Sequence, residues 1–161
     1  MRQLKLWILI FIVGGINSLS LAASRSDLSS SLWGKWRFIG YIYLGQFQEP
    51  PNPYLVLTFE FLQDGTDTLH WHRINEDGFC ERRGNYSYDG QELVDTITWI
   101  HPGNAFECSR DPDMVLGKTQ VTPLRNDEDR LYMDLPLSDE ILTYVWEKEI
   151  QYNKQGHWGL P

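Results

Sequence analysis

From residue 32 onward, large apolar side chains alternate with polar ones in short runs, and turn signals separate the runs. The clearest run sets Leu55, Leu57, Phe59 and Phe61 against Val56, Thr58, Glu60 and Leu62, so the first set faces inward. Asp64-Gly65, Asp77-Gly78 and Asp89-Gly90 stand thirteen and twelve residues apart. Asp-Gly favours the positive backbone angles of tight hairpin turns, and even spacing implies strands of similar length folding back and forth. The pattern predicts strands at 33–45, 54–63, 66–74, 79–88, 92–101, 115–124, 130–135 and 141–149. Eight sequential strands suffice to close an all-β, antiparallel up-and-down barrel, which leaves no exposed edge. In Leu142-Thr143-Tyr144-Val145-Trp146 both faces carry large side chains, and periodicity does not choose between them. Two connections are longer. Residues 45–53 contain Phe47, Pro50, Pro51 and Pro53, a stiff non-helical loop, and residues 102–112 contain Cys108.

The first 22 residues read differently. Arg2 and Lys5 precede the apolar run Leu6–Val13, Gly14-Gly15 breaks it, and Ser20-Leu21-Ala22 offers small residues for cleavage. The run is shorter than the ~20 residues of a membrane-spanning helix, so 1–22 is expected to be a signal peptide that leaves no membrane anchor. The product is then secreted or periplasmic. Residues 23–31 form a Ser-rich leader expected to be loosely ordered, 32–149 the barrel, and 150–161 a tail whose Gly156, Gly159 and Pro161 forbid a packed helix. Removing the signal takes away two cations and no acid, so the net charge moves from −8 to −10. Such a surface repels phosphate backbones and anionic lipid heads, which argues against nucleic-acid partners. Two cysteines in an exported chain are expected to pair, Cys80 with Cys108, tying the second long loop to strand 79–88.

Leu32-Trp33-Gly34-Lys35-Trp36-Arg37 precedes Leu57-Thr58-Phe59 with Asp64-Gly65-Thr66. Gly84-x-Tyr86-x-Tyr88 with Asp89-Gly90 and Leu93 follows, and Leu142-x-Tyr144-Val145 closes the series. In these motifs the chain resembles the lipocalins of the calycin superfamily, most closely their small exported bacterial lipocalin-like domains. The resemblance implies a barrel open at one end, with Gly34 and Trp36 at its floor and a small hydrophobic molecule inside. Larger lipocalins lay an Arg across the Gly-x-Trp ring, whereas this chain has no Arg after Arg130 and offers Lys148 instead. The two helices that fatty-acid-binding barrels insert after the first strand have no counterpart in 45–53.

Within that frame Phe38, Phe59, Trp71, Tyr86 and Trp99 are candidates for apolar ligand contact, and Arg82 for the polar anchor. Arg82 shares a strand face with Cys80, Tyr86 and Tyr88 by the two-residue period, and an interior guanidinium can hold a ligand carboxylate bidentately. The bland alternative places Arg73, Arg82 and Arg83 on the surface beside Glu76, Asp77 or Glu81, where charged residues usually lie. The aromatic rings also admit two readings, a lined cavity or a solidly filled barrel. A filled barrel would make the chain a protein-interaction or inhibitor module working through its loops, and a cavity of ~300 Å³ or more separates the two.

Other chemistry has little footing. His70-x-His72 places two imidazoles on one strand face, but zinc takes three or four ligands and spacing assigns neither His101 nor His157 beside them. Asp111-Pro112-Asp113 and Asp127-Glu128-Asp129 read as solvated turns, not calcium loops. Gly-x-Ser-x-Gly, phosphate-cradling glycine loops and Cys-His motifs are missing, so no catalytic residue, metal or cofactor is assigned.

Overall fold

Gly34 opens the first strand, and the strand-and-turn rhythm continues from there to Lys148. The computed structural model describes residues 25–150, so the expected signal segment 1–22 and nearly all of the tail lie outside the described residues. The strands are β1 Gly34–Tyr43, β2 Gln46–Gln48, β3 Leu55–Phe61, β4 Thr66–Arg73 and β5 Phe79–Tyr88, then β6 Glu92–Ile100, β7 Thr119–Asp127, β8 Arg130–Leu137 and β9 Glu140–Lys148. From β3 to β9 each pairs antiparallel with the next, and β1 pairs with β3 on one side and β9 on the other, closing the ring. The fold is therefore the expected eight-stranded antiparallel barrel, with β2 as a short extra ribbon on the upper half of β1. The three Asp-Gly glycines take φ of +82°, +95° and +98°, the left-handed turn geometry that their sequence signals.

Three boundaries differ from expectation. The 45–53 loop is not wholly irregular, because Gln46–Gln48 folds back to pair with Tyr41–Tyr43. The strand expected at 115–124 instead spans Thr119–Asp127. The preceding loop runs on through two 3-10 turns, Phe106–Arg110 and Pro112–Met114, and ends only at Gly117. Met114 is buried while Val115 and Leu116 are exposed, so the apolar run there belongs to a turn and not to a strand. The leader, expected to be loose, contains the helix α1 Arg25–Ser30, whose Leu28 packs against the core at the closed end.

That closed end is solid. Leu32, Trp36, Leu124 and Leu131 are fully buried there with Phe61. Burying each such side chain contributes about 1.5–3 kcal/mol. Trp36 donates its Nε1–H to the Leu32 carbonyl at 2.7 Å, and the Lys148 ammonium lies 5.2 Å from the centre of its ring. Lys148 thus takes the seat across the ring. At Gly34 a Cβ would lie 3.2 Å from the Lys148 Cε, so the glycine leaves room for the lysine stem.

At the other end the ring of backbone hydrogen bonds is incomplete. β1 pairs with β3 only over Gly34–Arg37, and β7 with β8 only over Leu124–Asp127, all near the floor. Cys80 and Cys108 form the expected disulfide, Cα atoms 5.6 Å apart, which fixes the long loop against β5.

Candidate functional site

Period-two alternation on β3, β4, β6, β8 and β9 aims a mainly apolar set of side chains into the upper barrel. They enclose a cavity of about 300 Å³. Its walls are Leu55, Leu57 and Phe59 of β3, Leu69 and Trp71 of β4, Leu93 of β6, Met133 and Leu135 of β8, and Tyr144 and Trp146 of β9. Arg82 and Asp95 provide the polar part of the wall, and Arg73, Asp111, Asp113, Gln120 and Thr122 also border it. The barrel is therefore filled at its floor and hollow above.

The six candidate residues separate into three groups. Phe59, Trp71 and Arg82 line the cavity. Phe38 and Tyr86 point inward but do not reach it. Phe38 stands behind Tyr144 and Trp146, with ring centres 4.8 and 5.7 Å away. Tyr86 belongs to the floor, edge-on to Phe61 at 4.9 Å, and donates its hydroxyl to the Leu62 carbonyl at 2.8 Å. Burial pushes that phenol up to about 12. Trp99 faces outward, against expectation. A bulge shifts the register so that Gly84 pairs with Ile97 but Arg83 pairs with Trp99. One extra residue reverses the face of everything after it. The ring instead carries the Arg83 guanidinium 4.7 Å above it and meets His101 edge-on at 5.3 Å.

Arg82 is interior, 2 % exposed, and it is already engaged. Its Nη1 donates to Asp67 Oδ1 at 2.9 Å and to Asp95 Oδ1 at 3.4 Å, while Nη2 donates to Asp95 Oδ2. Asp67 is fully buried and Asp95 nearly so. The three residues come from neighbouring strands, β4, β5 and β6, and Gly84 makes their approach possible. A Cβ there would fall on Asp95 Oδ1 and lie 2.8 Å from Asp67 Oδ2. Burial and the facing Asp95 charge push Asp67 up to about 7 against the pull of Arg82. Burial also raises Asp95, again opposed by Arg82. Two acids around one cation leave this site a charge short of neutrality whenever both are ionised.

Several contributors were not singled out in the sequence. Asp67 stands in phase with Leu69 and Trp71, and Asp95 with Leu93 and Ile97, so an acid on the apolar phase of a strand was the available signal. Tyr144 lies on the β9 face that periodicity could not choose; Trp146, on the same face, is one of the aromatic rings for which the sequence did offer the cavity-lining reading. Asp111 and Asp113, expected as part of a solvated turn, are half-buried at the cavity. Asp113 accepts from the Gln120 amide at 2.8 Å, and Asp111 caps its own turn through the Asp113 N–H. Burial first, then their fields, raise the Tyr144 phenol.

His70 and His72 lie on the outer face, with ring nitrogens 3.3 Å apart and His70 Nδ1 3.1 Å from Glu81. His101 joins the same row through Phe79. No group of three metal-ligating side chains occurs among the described residues. A second cleft of about 460 Å³ lies beside the disulfide, bordered by Glu76, Asp77, Glu107 and Asp111, and Trp71 separates it from the cavity.

No protein-family model matches the chain, and no curated protein aligns with it. One solved structure, As-p18, an extracellular fatty acid binding protein, superposes with a TM-score of 0.41 at 10 % identity, over 76 % of this chain and 99 % of that one. A superposition that loose carries no argument about ligand or role.

Proposed function

We propose that this is an exported, non-enzymatic binding protein that holds a small hydrophobic or amphipathic molecule in the upper barrel. The observation that carries the reading is the cavity itself. It is a hollow of about 300 Å³ walled by leucines and aromatic rings, placed above a close-packed floor and bordered by a few polar groups. That volume is at the lower end of ligand pockets, roughly ten water volumes at about 30 Å³ each. It suits a short chain or single ring system, or the buried part of a longer molecule. At about 0.8 kcal/mol per buried CH₂, a ten-carbon chain gains about 8 kcal/mol before the costs of association. The disulfide and the apolar, charged-start segment 1–22 are in keeping with export.

The test is mass spectrometry of small molecules extracted from protein purified out of its native compartment, together with quenching of Trp71 and Trp146 fluorescence by apolar probes. Recovery of an apolar molecule and saturable quenching, both weakened at least tenfold by Trp71→Ala, are expected. Repeated failure to recover any molecule, without quenching, would sink the carrier reading.

A second reading has its own observation. Leu44, Tyr54, Ile74, Phe106 and Leu116 are exposed on turns at the open end, with Ile141 at the start of β9, an apolar collar of the sort that partner proteins cover. A pull-down in which alanine substitution of the collar abolishes a stoichiometric complex, with the cavity empty, would favour that role.

A further inference from the structure

We infer that the cavity takes a ligand whose head carries no negative charge, and that it discriminates against a free carboxylate. The inference rests on the binding reading above and names its ligand class.

An interior arginine normally suggests an anionic head, but here Asp67 and Asp95 hold both terminal nitrogens of Arg82. Among the described side chains that border the cavity, no cation is without an acidic partner. Arg73, at the border, is engaged with Glu76 at 3.2 Å. Lys118 lies 3.7 Å from Asp113. A carboxylate would add another negative charge to a space already bordered by Asp95, Asp111 and Asp113, and an uncompensated charge in a buried site is strongly unfavourable.

The same acids are acceptors for a head that donates. Asp111 and Asp113 border the cavity beside Asp95, so a hydroxyl can donate to them without adding charge, and an ammonium adds a compensating one.

The experiment titrates the full-length mature protein with decanol, decanoate and decylamine by calorimetry at pH 8, where the last two are charged. Decanol and decylamine are each expected to bind at least about tenfold more tightly than decanoate. Asp67→Asn removes one charge without touching the cavity wall, since Asp67 is not among its lining side chains. The gap between decanol and decanoate should shrink several-fold in that variant. A wild-type measurement stands beside it should the variant fail to fold. Lowering the pH from 8 to 6 protonates Asp67 while decanoate stays ionised, so decanoate should bind more tightly and decanol should not change. Decanoate binding as tightly as decanol or decylamine at pH 8 overturns the inference. Binding of none of the three overturns the carrier reading itself, a result distinct from either preference.

Discussion

Asp67→Asn should flatten the dependence of stability on pH across the neutral range. In the unfolded chain this carboxyl titrates near 3.8, whereas burial and the Asp95 charge raise it to about 7 in the barrel. Between those values the folded protein keeps a proton that the unfolded chain has released. Stability must then fall as pH rises, by up to about 1.4 kcal/mol per pH unit. The contribution is complete below 3.8 and lost above 7. From pH 5 to pH 7 the loss is roughly 2–3 kcal/mol, a substantial share of the 5–15 kcal/mol typical of a domain. Asn mimics the protonated acid, and its carbonyl still accepts from Arg82 Nη1. The slope should therefore largely vanish, leaving only what the similarly raised Asp95 contributes. Urea unfolding followed by tryptophan fluorescence at pH 5, 6, 7 and 8, with the disulfide intact, measures it. A variant that keeps the wild-type slope, or a wild type whose stability rises between pH 5 and 7, would refute this account of the buried pair.

Two further outcomes follow from the floor and the staple. Alkylation of denatured but unreduced protein should add no label. Reduction should lower stability by about 3–4 kcal/mol, the chain-entropy value for a loop of this length, read as a shift in urea midpoint; two labels without reductant would refute the bridge. Trp36→Phe removes the Nε1–H donor to Leu32 and part of the surface under Lys148, and should cost about 1–3 kcal/mol. Trp36 is not among the side chains that line the cavity, though its β3 partner Phe59 is, and decanol affinity should not change. An altered affinity would show that floor and cavity are coupled.

Much of the barrel was legible because its signals are local. Asp-Gly turns fix where strands reverse, and the alternation through Leu55–Phe61 fixes which face is inside. Arg82, Tyr86 and Tyr88 share the interior as the two-residue period requires. What was not legible depends on register between strands. Trp99 sits outside because of one extra residue in β6, and nothing in the sequence around Thr98 announces a bulge. Arg82 was visible as an interior candidate, but its engagement was not, because Asp67 and Asp95 are fifteen and thirteen residues away. They meet it only across two ladders. The strand expected at 115–124 failed for another reason, since Val115-Leu116 is apolar without being buried and only Gly117, at φ +80°, marks the turn.

The two unpaired seams give the barrel a division of labour along its axis. Above the floor, β3 to β7 form one continuous half-shell and β8, β9, β1 and β2 another, with no ladder joining them at the brim. The floor circumference is set by hydrogen bonds and close-packed rings. The circumference of the mouth is set by the connection through residues 44–54 at one seam and, at the other, by side chains such as Thr122 and Leu135, which border the cavity from opposite sides of the β7–β8 seam. The mouth can therefore widen around a bulky head by parting two walls, without breaking a backbone hydrogen bond, while the base keeps its dimensions. The protein is built like a clasp hinged at its base, and its tolerance for ligand size is concentrated at the opening.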